Sequence, residues 1–296
     1  MQTAVILGCG YVGTFLARAL LSEGYQVIGT THTPQRIQEL QQIGVKPALV
    51  DIFEPASFSA LPDHFDILVH SVPPVRVEGS SELREGTEHL LAFCREKPVI
   101  AFLYLSSTSV YGPQGGEWVD EETPCHPMSP HGKARLHAEQ KLLTAYSSWG
   151  LPVMIFRLSA IYGPGRTIAE KIRNGTYRII TQSGEPRRIN RIHVEDIVAA
   201  LLAALKRGRP GQIYLLDDDY PSTAEEYAYL IADLIGAPRP PAIAYEEALR
   251  LGGDRVLRLT ESKRCKNDKI KRELGISLKY PTFREGIVAS LSRHTP

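Results

Sequence analysis

Gly8-Cys9-Gly10-Tyr11-Val12-Gly13 is the stretch that decides the fold of this chain. Before it, Ala4-Val5-Ile6-Leu7 is too short for a helix and β-branched enough for a buried strand. After it, Thr14-Phe15-Leu16-Ala17-Arg18-Ala19-Leu20-Leu21 reads as a helix. Strand, glycine turn and helix in that order present free N–H groups and the positive end of a helix dipole to an anion. A dinucleotide pyrophosphate fits such a place. Gly8 makes the turn, Gly10 lets the backbone approach the phosphates, and Gly13 lets the helix pack on the strand, with Tyr11 and Val12 completing the loop.

Working outward, Tyr25-Gln26-Val27-Ile28-Gly29-Thr30-Thr31 reads as a second strand. The acidic residue that holds an NAD ribose, about 20 residues past the glycines, is missing. Thr31, His32 and Thr33 stand there, with Arg36 just beyond. A carboxylate would repel a 2′-phosphate, whereas hydroxyls and a guanidinium bind one, so the pattern favours NADP over NAD. Further apolar runs follow at Ala48–Asp51, Phe65–Ser71, Val99–Ser106 and Val153–Arg157. Helical patterns separate them, notably Ser80–Lys97, which carries Leu83, Leu90, Leu91 and Phe93. Strands alternating with helices predict an α/β fold of the Rossmann type, a doubly wound parallel sheet with helices on both faces. Ligands bind such sheets beyond the carboxyl ends of the strands. Asp51, then Ser71, Val72 and Pro73, and the segment Ser106–Gly112 are therefore candidate contacts.

The totals narrow the field. The chain has 296 residues, 43% of them hydrophobic and 23% charged, with a net charge of +1. That is an ordinary globular composition, with no global reason to expect nucleic acid or an acidic membrane as partner. No segment reaches transmembrane length, and the first residues enter a strand directly, so the expectation is a cytoplasmic protein. Cys9, Cys94, Cys125 and Cys265 lack metal-ligand spacing, so no metal is expected and free thiols of a reducing compartment are the reading. Cys9 lies at a helix N-terminus, where a lowered thiol pKa would favour redox chemistry.

Ser106-Ser107-Thr108-Ser109-Val110-Tyr111-Gly112, Arg157-Leu158-Ser159-Ala160-Ile161-Tyr162-Gly163-Pro164-Gly165-Arg166 and Arg191-Ile192-His193-Val194-Glu195-Asp196 together resemble the extended short-chain dehydrogenase/reductases, the NAD-dependent epimerase/dehydratase family. The resemblance runs nearly end to end. Ser262-Lys263-Arg264 through Glu273-Leu274-Gly275, and Tyr280-Pro281-Thr282-Phe283-Arg284-Glu285-Gly286, look like an atypical subgroup. The glycine loop departs from the usual G-x-x-G-x-x-G, since Leu7 stands at its first glycine.

The resemblance implies a catalytic Ser/Thr, matched by Ser107, and a Tyr and Lys four apart on the next helix. That helix is recognisable in Pro127–Glu139, yet His131 occupies the tyrosine's place and Arg135 the lysine's. None of the thirteen tyrosines has a lysine four residues on. Imidazole titrates near about 6.5 without help, and a cation one helical turn away favours its neutral, basic form, so His131 with Arg135 can replace the pair as general base. The alternative is that His131 merely starts the helix and the machinery has decayed. Ala160 replaces an asparagine that helps to hold nucleotide-sugar diphosphates in relatives, which argues against such a substrate.

Tyr111, Arg166 and Arg264 are the candidate substrate ligands, with Arg264 the favoured member of a basic stretch that otherwise reads as a solvated face. Glu195 and Asp196 are explained by the dipole of the helix Val194–Lys206. The expected division is a cofactor domain of residues 1–163 with 190–216 and a smaller C-terminal α/β substrate lobe of residues 164–189 with 217–296. The functional expectation is an NADP-dependent oxidoreductase or epimerase-like enzyme on a small polar, anionic substrate. A non-catalytic NADP-binding redox sensor is the other class. The resemblance also implies a homodimer.

Overall fold

The computed structural model describes residues 1–76, 83–181, 186–252, 256 and 261–292. Seven parallel strands form its central sheet: β1 (Thr3–Leu7), β2 (Gln26–Thr31), β3 (Lys46–Leu49), β4 (Ile67–His70), β5 (Ala101–Ser107), β6 (Val153–Leu158) and β7 (Ile213–Leu216). Their order is β7-β6-β5-β4-β1-β2-β3. The order in which strands are added thus reverses between β1 and β4, parallel neighbours that pair from Ala4 with Ile67 to Leu7 with His70. At that reversal the carboxyl ends of the strands open a crevice, and the glycine turn sits in its mouth.

Strand alternation divides the core into two layers. Leu103 and Leu105 of β5 face the layer built from α1 (Tyr11–Ser22) and α6 (Val194–Arg207), while Phe102 and Tyr104 face the layer that includes α3 (Thr87–Cys94) and α4 (Pro130–Trp149). Further helices are α2 (Arg36–Gln42), α5 (Ala169–Arg173), α7 (Ala224–Leu234), α8 (Tyr245–Gly252), α9 (Asp268–Leu274) and α10 (Phe283–Ser292). Tyr162, Ile172, Tyr227, Phe283 and Ile287 form a separate core cluster. Ile270 and Leu274 of α9, by contrast, are buried in the core with α1 and α6.

One helix differs from expectation. The pattern Ser80–Lys97 yields helix only from Thr87. Gly86 is left-handed at φ +66°, Glu85 accepts the Thr87 N–H at 2.8 Å, and Leu83–Arg84 pair with Val75–Arg76 as a short antiparallel ribbon. The beginning of the expected helix, Ser80–Glu82, lies outside the described residues.

Candidate active site at the strand ends

Gly8 makes the turn after β1, Gly13 packs on that strand and Gly10 borders open space. Gly8 has φ +75°, and a Cβ there would lie 2.9 Å from Val72 Cγ2; a Cβ at Gly13 would lie 3.1 Å from Ile6 Cγ2. A Cβ at Gly10 would meet only the Gly8 carbonyl at 3.8 Å, so the space beside Gly10 is left open for a ligand. The donors are more restricted than the motif suggests. Gly8 N–H is spent on Thr30 Oγ1 at 3.0 Å, Cys9 N–H on the Thr30 carbonyl at 2.8 Å and Gly10 N–H on the Gly8 carbonyl at 2.7 Å. The first-turn amides of Tyr11, Val12 and Gly13 are the ones α1 itself leaves unbonded. These residues fit a dinucleotide pyrophosphate.

At the end of β2, Thr31 is buried and its hydroxyl accepts the Thr33 N–H at 3.0 Å, while His32 is exposed. Arg36 opens α2, makes a 3.4 Å contact with Glu39, and lies near enough to Cys9 for its charge to act on the thiol. Burial outweighs that charge and pushes the Cys9 thiol up to about 11, the opposite of the activated thiol considered for this position. Asp51, just past β3, accepts the Phe53 N–H at 2.9 Å. Ser71, Val72 and Pro73 follow β4; the Ser71 N–H bonds the Leu7 carbonyl and Val72 packs on Gly8.

Ser107 and the start of α4 meet at the end of β5. Ser107 caps the single turn Thr108–Tyr111, its Oγ accepting the Ser109 N–H at 3.2 Å, which leaves the hydroxyl hydrogen to donate elsewhere. Ser129 caps α4, and Gly132, next to His131, lies so close to the Ser109 carbonyl that a Cβ would not fit. The two candidate segments are thus held together by backbone contact. Arg135 turns inward: its Nη1 donates to the Leu105 carbonyl at 2.8 Å and to Tyr104 Oη at 3.1 Å. It clamps α4 onto β5. His70 lies tilted against Tyr104 with ring centroids 5.0 Å apart, and burial together with Arg135 pushes its imidazole down to about 3, so His70 is neutral.

Tyr111 has no exposed surface. Its hydroxyl donates to the Asp120 carbonyl at 2.8 Å and accepts from Arg157 Nη1 at 2.9 Å. With donor and acceptor both spent, it is a packing residue, a correction to the substrate role given it by position. It belongs to a buried network that sequence reasoning missed, in which Glu139 takes Arg157 Nη2 at 2.8 Å and the Ser106 hydroxyl. Arg264 lies in a two-residue strand paired with Trp118–Val119, and its guanidinium donates to the Gly116 carbonyl. The buried cation of that segment is Lys263, whose Nζ bonds Glu261 at 2.7 Å and the Gly112 carbonyl at 3.2 Å. Nothing local distinguishes Lys263 from the other basic residues of the segment. Arg166 lies across the crevice, with its guanidinium carbon 5.2 Å from the centroid of the Tyr11 ring.

Glu195 and Asp196 do more than complement a dipole. The Asp196 carboxylate accepts the backbone N–H groups of Lys279 and Tyr280 at 2.6 and 3.1 Å, and Glu195 pairs with Lys279 Nζ at 2.7 Å, tying the C-terminal segment to α6. Among the described residues no helix is long and apolar enough to cross a membrane.

Fold and glycine turn together define a dinucleotide-binding protein of the Rossmann type. Residues 4–216 match the model of the NAD dependent epimerase/dehydratase family. The chain belongs to that family. It is 26% identical to the 3-diazoavenalumate denitrifying reductase of a Streptomyces species, over 97% of this chain and 99% of that one. A conserved protein of unknown function from Silicibacter pomeroyi superposes with a TM-score of 0.83 at 35% identity, covering 99% of both chains. The Streptomyces venezuelae dTDP-glucose 4,6-dehydratase DesIV, solved with NAD bound, shares the fold with a TM-score of 0.82 at 20% identity, covering 99% of this chain and 96% of that one.

Proposed function

We propose that this protein is an NADP(H)-dependent oxidoreductase that interconverts a carbonyl and an alcohol on a small polar, anionic substrate in the cytoplasm. The observation that carries the cofactor choice is the end of β2, where Thr31, His32 and Arg36 stand in place of a ribose-binding acid. A guanidinium beside the glycine loop suits a 2′-phosphate and has no use for a ribose hydroxyl pair. The full-length likeness to a reductase supports oxidoreduction. Pairing of two copies through α3 and α4 is part of the same reading.

The bound cofactor supplies a hydride at its nicotinamide C4. The chain's own part concerns the oxygen. Ser107, whose oxygen already accepts the Ser109 N–H, donates its hydroxyl hydrogen to the reacting oxygen. His131, on the first turn of α4, gives the proton as carbonyl becomes alcohol and takes it in the reverse direction. Arg135 acts by position, holding the helix that carries His131 against β5. Arg264, beside the 112–120 loop, is the proposed anchor for the substrate's anionic group.

A fluorescence titration tests the cofactor: NADPH binds more tightly than NADH, and Arg36→Ala erases most of the difference. Tighter binding of NADH overturns the assignment. Once a substrate is found by screening carbonyl acids, His131→Ala lowers kcat about 100-fold or more. Undiminished turnover would remove His131 from the mechanism.

A further inference from the structure

We propose that the turn Gly163–Arg166 is a latch over the cofactor pyrophosphate, with Arg166 as the cation that meets the phosphates; the inference rests on the dinucleotide reading above. Arg166 then serves cofactor retention, and not the substrate.

The turn is rigid. Pro164 and a left-handed Gly165 at φ +71° occupy its two central positions, and the Arg166 N–H bonds the Gly163 carbonyl at 2.9 Å, the pattern of a type II turn. It is also fixed in place. A Cβ at Gly163 would lie 2.6 Å from Tyr11 Oη and 2.7 Å from Val194 Cγ1, and Tyr11 Oη donates to the Pro164 carbonyl at 3.0 Å. The guanidinium is therefore presented over the Tyr11 ring by a turn that has little freedom to move, which lowers the entropy lost on binding.

Tyr11 is the first residue of α1, and its N–H is one of the three amides that the helix leaves unbonded beside the open space at Gly10. A cation at that end of a helix is opposed by the dipole. Charge balance is restored when an anion lies between them, and the doubly charged pyrophosphate of a dinucleotide is the anion this crevice is shaped to take. Glu195, the acid whose charge reaches Tyr11, has its carboxylate engaged by Lys279 and by Tyr280 Oη. The strand segment Ala160–Tyr162, paired with Arg191–His193, leads into the latch, and α5 follows it.

The experiment uses the full chain, with equilibrium titration of NADPH, of ADP-ribose, which keeps the pyrophosphate without the nicotinamide, and of adenosine 2′-monophosphate, which lacks the pyrophosphate. Arg166→Met keeps the aliphatic stem and removes the charge. It is expected to weaken NADPH and ADP-ribose alike, by about 10- to 100-fold for a lost charge-assisted bond, and to leave the monophosphate within twofold. The salt dependence of NADPH binding becomes shallower in the variant. Tyr11→Phe, which removes the bond to Pro164, is expected to speed NADPH release several-fold in stopped flow. Three results overturn the latch: NADPH and ADP-ribose unchanged by Arg166→Met, equal weakening of the monophosphate, or an effect confined to the KM of a substrate. A wild-type chain that binds neither NADPH nor NADH sinks the dinucleotide reading itself, a distinct outcome.

Discussion

Exchange of Gly10 for alanine separates the cofactor cradle from the fold. A Cβ at Gly10 meets only the Gly8 carbonyl at 3.8 Å, ordinary van der Waals contact. The residue sits at φ −85°, ψ −145°, just past the extended region, which costs an alanine about 1 kcal/mol. The smaller entropy of the unfolded alanine chain returns about 0.4–1 kcal/mol, so the net change in stability is close to zero. The added methyl nevertheless occupies the space into which the phosphates must come. Loss of two charge-assisted bonds, at about 1.5–3 kcal/mol each, raises the Kd for NADPH by about 100-fold or more. Gly8→Ala is the contrasting variant. Its φ of +75° costs about 1–2 kcal/mol, and a Cβ 2.9 Å from Val72 Cγ2 adds about 1–3 kcal/mol of overpacking. Thermal unfolding followed by circular dichroism, with NADPH titration of the same samples, reads both quantities. Gly10→Ala should hold its Tm and lose the cofactor, whereas Gly8→Ala should lower Tm by several degrees. If Gly10→Ala binds NADPH within twofold of wild type, the pyrophosphate does not lie beside Gly10. If it melts as early as Gly8→Ala, the space beside Gly10 is not open.

Two buried acids give further tests. Asp217 is fully buried and neither carboxylate oxygen has a hydrogen-bond partner among the described residues; burial, then the neighbouring Asp218 and Glu121, raise its pKa well above the usual carboxylate range. The folded carboxyl holds its proton more tightly than the unfolded one, so stability declines as pH rises from about 4, and Asp217→Asn should make urea-unfolding stability fall less between pH 5 and 8. Equal slopes would show that Asp217 is charged and solvated. Some slope remains in the variant because Asp218 is itself pushed up by burial to about 8. Glu139→Gln leaves the Arg157 guanidinium, 4% exposed, without its counter-charge and should cost about 3–5 kcal/mol in chemical denaturation; a loss under 1 kcal/mol would mean that water already reaches the pair.

Much of the fold was legible because its signals are local. The glycine loop specifies turn, approach and packing within six residues, and the apolar runs announce strands by length and β-branching. Features built by distant partners were not. Lys263 and Arg264 are adjacent in sequence with the same charge, yet one is buried against the Gly112 carbonyl and the other is half-buried on the Gly116 carbonyl, and only the pairing of Arg264–Cys265 with Trp118–Val119 decides which. Tyr111 reads as a crevice residue because it follows a strand end. Its hydroxyl is claimed by Asp120 and by Arg157 of another strand. The Asp196 carboxylate looked sufficient as a dipole complement, since a helix start gives no hint of a chain segment arriving from Lys279.

Arg135 shows the same limit inside the proposed site. Spacing of four puts it on the face of α4 that carries His131, but spacing does not choose a rotamer, and the carbonyl of Leu105 and the hydroxyl of Tyr104 take the guanidinium. The change of partner is chemically coherent with the change at position 131. A phenol near about 10 needs a cation to bring it towards neutrality, and an imidazole near about 6.5 does not. With histidine at 131, the residue at 135 is released from tuning a neighbour and serves to fix the helix on β5. The two departures from the family pattern are then one change. Under the role proposed for His131, the cation four residues on is left to hold the helix that carries it.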